Sequence, residues 1–190
     1  MRKAPGLPWR VGLWLPLFLL AGQAGAAAPT GGGHQLKPPE RIDEAGRFLG
    51  LLDYGLPLRT LEGRVVDFSP WQGKVLFVNV FATWCPPCRE ELPTILRLRE
   101  ATKDLPVEFV FISTDKDGDA VRSFLRKAKL SFPVFLSYWK RGSSIFSSEA
   151  IPMTFILDRE GRVVFEERGA ADWNVPSVRA FLARVAAGSP

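Results

Sequence analysis

The stretch Lys74–Phe81 reads Lys-Val-Leu-Phe-Val-Asn-Val-Phe, and four residues beyond it begins Cys85-Pro86-Pro87-Cys88. A short run this apolar is what a central strand covered on both faces requires. Behind the cysteines, Leu92, Ile95, Leu96 and Leu98 predict a helix over Arg89–Thr102, with a kink at Pro93. The two cysteines therefore stand where a buried strand gives way to a helix, and the rest of the chain has to be arranged around that junction.

The flanking patterns supply the arrangement. Leu56–Leu61 and Arg64–Phe68 predict a short hairpin about Glu62-Gly63. Val107–Ser113 predicts a second buried strand, and Asp119–Lys129 a basic amphipathic helix. Met153–Asp158 and Arg162–Glu167 predict a hairpin about Arg159-Glu160-Gly161, and Val175–Ala187 a closing helix with Pro176 in its first turn. Upstream, Ile42, Ala45, Phe48, Leu49 and Leu52 predict a short helix over Glu40–Leu52, weakened by Gly46 and Gly50. Together these patterns give an α/β chain with a mixed central sheet. Within Ser137–Glu149, Tyr138, Trp139 and Phe146 are expected in the core rather than on a docking patch.

The N-terminus has the composition of an export signal. Arg2, Lys3 and Arg10 precede the apolar stretch Val11–Leu20, and Ala24-Gly25-Ala26 and Ala26-Ala27-Ala28 fit small-x-small cleavage sites. The rival reading is an uncleaved membrane anchor over residues 11–28, at the lower length limit for a span. A lipid anchor is excluded, since Gln23 stands where that signal needs cysteine. Three domain segments follow: 1–28 as signal or anchor, 29–53 as linker and short helix, 54–190 as the folded domain. The net charge of +5 falls to +2 without the three leader cations, which argues against a nucleic-acid surface.

In an exported chain two cysteines three positions apart can form a disulfide. A bridge closing so short a loop restricts the unfolded chain little, so redox exchange explains it better than structural bridging. Cys85 at the mouth of a helix is favoured as thiolate by the unpaired N–H groups and dipole there, and Cys88 one turn further in can resolve a mixed disulfide. Pro86 and Pro87 stiffen the turn but remove two of those N–H groups, and Trp84 provides an apolar wall beside the sulfur. Zinc would need two further ligands, and the single histidine, His34, lies in the Ala26–Pro39 linker. A copper(I)-binding delivery module using both thiolates is the alternative reading, with Met153 as a third soft ligand if it is not simply core.

The segment Gly73–Pro93, with its Trp84-Cys85-Pro86-Pro87-Cys88 centre, closely resembles the TlpA/ResA-like branch of thioredoxin-fold proteins, and the looser likeness runs from about Tyr54 to Ala187. The resemblance implies a thioredoxin fold, a mixed sheet flanked by helices, to which the patterns above add an N-terminal hairpin and an extra N-terminal helix. It implies Cys85 as exposed nucleophile, Cys88 as resolving thiol, Glu91 as a carboxylate tuning the thiols, and Pro152 as a cis-proline facing the disulfide. The backbone at Ile151 would then pair with substrate, beside Trp84. Asn79 stands where thioredoxin itself has a buried Asp, and Ala150 replaces a commonly seen Gly two residues before the proline. The resemblance further implies a periplasmic exchanger without organic cofactor or metal. Its clients would be disulfide-bearing or dithiol proteins, its electron donor a membrane thiol carrier, and its context cytochrome c or copper-protein maturation.

Overall fold

The computed structural model describes residues 36–37, 49–139, 144–147 and 150–188. The leader, His34, most of the linker and the Glu40–Phe48 portion of the expected N-terminal helix lie outside these. The chain divides into residues 1–34 and 35–190, and everything described below belongs to the second unit.

Seven strands form one mixed sheet: β1 (Leu58–Thr60), β2 (Val65–Val66), β3 (Val75–Phe81), β4 (Val107–Ser113), β5 (Val134–Ser137), β6 (Met153–Leu157) and β7 (Val163–Arg168). Their order is β2-β1-β5-β4-β3-β6-β7. The central pairs β3–β4 and β4–β5 are parallel, and the outer pairs are antiparallel. Every residue of β3 is buried, as its apolar run requires.

Three helices, α1 (Pro86–Ala101), α2 (Gly118–Ala128) and α3 (Pro176–Ala186), cover one face of the sheet. Alternation along β3 sends Val75, Phe77 and Phe81 into that layer and Leu76, Val78 and Val80 into the other. The second layer is closed by Leu52, Leu56, Phe68 and Phe146, with Trp71 and Trp139 packed on its rim. The β6–β7 turn depends on Gly161, whose φ of +78° favours glycine and where a Cβ would sit 2.9 Å from Tyr54 Oη.

Most of the predicted elements are found within a few residues of their expected bounds, and the departures have physical causes. Helix α1 begins at Pro86 rather than Arg89, because proline suits the first helical position. It continues through Pro93 to Ala101. The hairpin strands β1 and β2 are shorter than expected. Strand β5 has no clear sequence signature, because its run is only four residues long and opens directly after Pro133.

Leu49–Leu52, expected as the end of a helix, is extended instead. The Leu49 and Leu52 amides donate to Val163 and Gly161 carbonyls at 3.1 and 2.9 Å, and the Val163 amide donates to the Gly50 carbonyl at 2.8 Å. Gly50 weakens a helix here, while the open edge of the hairpin offers backbone partners. The core expectation holds for Phe146 and, in part, for Trp139. It fails for Tyr138, which is 50% exposed, with the Arg59 guanidinium 5.6 Å from its ring centre.

Candidate active site

Strand β3 ends at Phe81, and the turn Ala82–Trp84 delivers Cys85 to the N-cap of α1. Pro86 and Pro87 occupy the first two helical positions and have no N–H. The first amide free to face the cap is therefore that of Cys88, and it lies 3.3 Å from Cys85 Sγ. The proline pair leaves a single helix N–H aimed at the sulfur. Cys85 and Cys88 are joined as a disulfide with their Cα atoms 5.3 Å apart.

Cys85 is not the exposed sulfur that the resemblance implied. In the disulfide it is only 4% exposed and packs with Ala82, Cys88 and Leu92 in the helix-side core. Trp84, by contrast, is 67% exposed, so the expected apolar wall projects into solvent beside the site. The Ile151–Pro152 peptide is cis, and the Ile151 carbonyl oxygen lies 3.8 Å from Cys85 Sγ. The structure thus brings Trp84, Pro86, Pro87, Ile151 and Pro152 around the cysteine pair. Met153 points into the opposite core layer, away from the layer that holds both cysteines, so its role is packing and not metal ligation.

Glu91 sits one turn after Cys88 on α1, wholly buried. Asn79 Nδ2 donates to its Oε1 at 2.8 Å, and Trp173 Nε1 and the Ala171 amide donate to its Oε2 at 3.1 and 3.3 Å. Burial raises its pKa from 4.5 to about 7, against the lowering effect of the Trp173, Asn79 and Ala171 donors; the Glu167 charge adds to the rise. The same Asn79 amide also donates to Thr154 Oγ1 at 3.0 Å, tying β3 to the strand that follows Pro152. Asn79, which cannot titrate, thus supports a residue that can.

A second buried carboxylate, Asp115, is not among the residues that the sequence pattern singles out. It follows β4 and accepts from the Thr83 amide at 2.9 Å, Thr83 Oγ1 at 2.8 Å and Ser113 Oγ at 2.5 Å. The signal available was positional: in open α/β sheets sites gather beyond the carboxyl ends of parallel strands, and Ser113 pairs with Phe81 at that end. Trp173, also missed, is separated by 82 residues from the Glu91 it contacts and left no local signal.

A mixed sheet with a Cys-x-x-Cys pair at the mouth of its first long helix and a cis-proline opposite defines a thioredoxin-fold protein with a redox-capable dithiol. The chain belongs to the Redoxin family, whose model matches residues 23–182, and within it the protein is TlpA/ResA-like. It is 33% identical over 111 residues to the thiol-disulfide oxidoreductase ResA of Bacillus thuringiensis subsp. konkukian, covering 57% of this chain and 63% of that protein. It is 35% identical over 107 residues to the thioredoxin-like protein YneN of Bacillus subtilis, covering 55% of this chain and 62% of YneN. The chain therefore spans less than two thirds of the length of these two relatives. Among solved structures, StoA from Bacillus subtilis is similar with a TM-score of 0.54 at 23% identity, covering 66% of this chain and 93% of StoA. A thioredoxin-family thiol:disulfide interchange protein from Chlorobium tepidum is similar with a TM-score of 0.52 at 23% identity, covering 74% and 98%. These structural likenesses establish the thioredoxin-like fold.

Proposed function

We propose that this protein exchanges thiols and disulfides with protein clients outside the cytoplasm, working in the reductive direction through Cys85 and Cys88. The observation that carries the reading is the closed Cys85–Cys88 pair at the cap of α1, with the Cys88 amide on Cys85 Sγ. That amide and the helix mouth stabilise negative charge on Cys85 when the pair is reduced.

The Cys85 thiolate attacks one sulfur of a client disulfide, forming a mixed disulfide and releasing the other client sulfur as thiolate. Cys88 then loses its proton, for which Glu91 in its ionised form is the proposed acceptor. The Cys88 thiolate attacks Cys85 Sγ, closing the protein disulfide and releasing the second client sulfur. The client gains two electrons and, after protonation, two thiols; the protein becomes oxidised. A dithiol donor, proposed to be a membrane thiol carrier, restores the reduced pair. Ile151 presents the backbone carbonyl nearest the reacting sulfur and Trp84 an exposed apolar surface, and both are proposed client contacts.

The exported location rests on the leader at residues 1–28, which lies outside the described residues. No helix among the described residues is long and apolar enough to cross a membrane. Cytochrome c or copper-protein maturation is the proposed context.

The test is a trap. Cys88→Ser cannot resolve the mixed disulfide, so covalent adducts through Cys85 should accumulate in cells and be identified by mass spectrometry after non-reducing purification. Equal adduct yields from Cys85→Ser and Cys88→Ser would overturn the assigned order of attack.

A further inference from the structure

Beside the dithiol a groove of about 620 Å³ separates α1 from α2. Its near wall is built by Thr83 and Arg89, which bracket the Cys85–Cys88 pair in sequence, and by Pro93. Its far wall carries Phe124 and Lys127 of α2, and Leu130 lies just beyond. The lining holds two cations and no carboxylate. Of the acids next in sequence to groove residues or hydrogen-bonded to them, Asp115 is engaged by Thr83 and Ser113, and Asp119 pairs with Arg122. Neither Arg89 nor Lys127 forms an ion pair among the described residues. Arg126 and Lys129, both exposed, extend the positive charge along the same end of α2.

We propose that this groove docks a client polypeptide segment carrying an apolar residue flanked by Asp or Glu, a few residues from the client's reactive cysteine. The inference rests on the exchange reading and adds to it a client class. Three features support that occupant. The groove adjoins the residues that frame the dithiol, so a client held by a mixed disulfide reaches it without a second anchor. Phe124 and Leu130 are only partly buried in the core, which leaves apolar surface for an aliphatic side chain. The unbalanced Arg89 and Lys127 complement acidic flanks, and bidentate pairing suits the guanidinium in particular. Fixing Thr83 through Asp115 keeps the groove in register with Cys85.

The experiment uses pre-reduced full-length protein in single-turnover stopped flow. Its substrates are two disulfide peptides, identical except for a Glu-Leu-Glu or a Lys-Leu-Lys segment near the cysteine, and the uncharged hydroxyethyl disulfide. The wild type is expected to react at least about 10-fold faster with the acidic peptide than with the basic one at low ionic strength, a preference that shrinks with added salt. Lys127→Glu should reduce the preference to within about 2-fold while leaving the hydroxyethyl disulfide rate unchanged. Ala128→Trp, at an exposed groove position, should slow both peptides but not the small disulfide.

Fluorescence anisotropy of a cysteine-free Glu-Leu-Glu peptide separates docking from chemistry. If that peptide binds and Lys127→Glu weakens it at least about 5-fold, docking stands even should hydroxyethyl disulfide fail to react, a failure that would count against the exchange reading alone. Equal rates for the two peptides, a preference untouched by Lys127→Glu, or binding only of a second copy of this chain would overturn the proposal.

Discussion

Two buried carboxylates flank the dithiol, Asp115 ahead of it and Glu91 behind it, and each accepts hydrogen bonds from three donor groups. The donors differ in origin. Those of Asp115 come from Ser113, two residues away, and from the adjoining turn at Thr83, so this carboxylate pins one loop to the end of one strand. Those of Glu91 come from β3 and from the segment ahead of α3, so this carboxylate joins three parts of the fold at one point. Only Glu91 is wholly sealed from solvent, and burial brings it to titrate near neutral pH. Asp115 is thus a clamp on the turn that leads to Cys85, and Glu91 a hub whose proposed task is to take up or release a proton for Cys88.

The largest effect is expected at the hub. Glu91→Gln keeps the size and one acceptor oxygen but cannot take the proposed proton, and it should slow resolution of the mixed disulfide roughly 100-fold. The rate inflection near pH 7 should vanish with it; stopped-flow rates between pH 5 and 9 decide both points. The same substitution has a stability signature. Folding raises the Glu91 pKa to about 7, so between pH 4.5 and 7 the folded protein binds more protons at this site than the unfolded chain. The contribution of Glu91 to stability is then greatest below pH 4.5, declines as pH rises through 7, and levels off above it. At 1.36 kcal/mol per pH unit the decline is roughly 3 kcal/mol. Urea unfolding of oxidised protein at pH 4.5 and pH 8 should show that slope in the wild type relative to Glu91→Gln. A wild type and variant with parallel pH profiles would break the distinction between hub and clamp.

A smaller loss is expected at the clamp. Asp115→Ala strands the Thr83 amide and two hydroxyls, at a cost of about 2 kcal/mol in urea unfolding. Asp115→Asn, which retains one carbonyl acceptor, should recover about half of it. Both variants should leave the pH of the rate inflection where Glu91 sets it. A clamp variant that moves the inflection would merge the two roles.

The asymmetry between these carboxylates also explains what could be read from the chain alone. Strand β3, the dithiol turn and α1 lie within one continuous stretch, and apolar runs and helical spacing are local signals, so Cys85, Cys88 and the existence of both elements were legible. Glu91 was legible only through family resemblance, because helical spacing places a residue on a face without saying what covers that face. What covers it is Trp173, Ala171 and Asn79, contributed from elements far apart in sequence. Asp115 was hidden for another reason: Ser-Thr-Asp after a strand resembles an ordinary turn until the parallel β3–β4 register places it level with Thr83. The extended Leu49–Leu52 carries a helical spacing instead, because edge pairing depends on a partner whose position no local pattern records.

Trp173 offers the finest test of the hub, since it meets Glu91 through one hydrogen bond and the core through its ring. It is the largest fully buried side chain among the described residues, packed edge-on against Phe77 and Phe165. Trp173→Phe preserves most of that packing and removes the indole N–H that lies 3.1 Å from Glu91 Oε2. Because that donor favours the ionised carboxylate, its loss moves the Glu91 titration upward, and the inflection in the resolution rate should shift to higher pH. Stability should fall by only about 1 kcal/mol, since the lost donor is accompanied by a modest loss of ring volume. At pH 9, where Glu91 is ionised in both proteins, the rates should converge. A purely structural tryptophan would lower the rate equally at every pH, so convergence at high pH would mark Trp173 as a positioning residue for the proposed proton acceptor rather than a filler of the core.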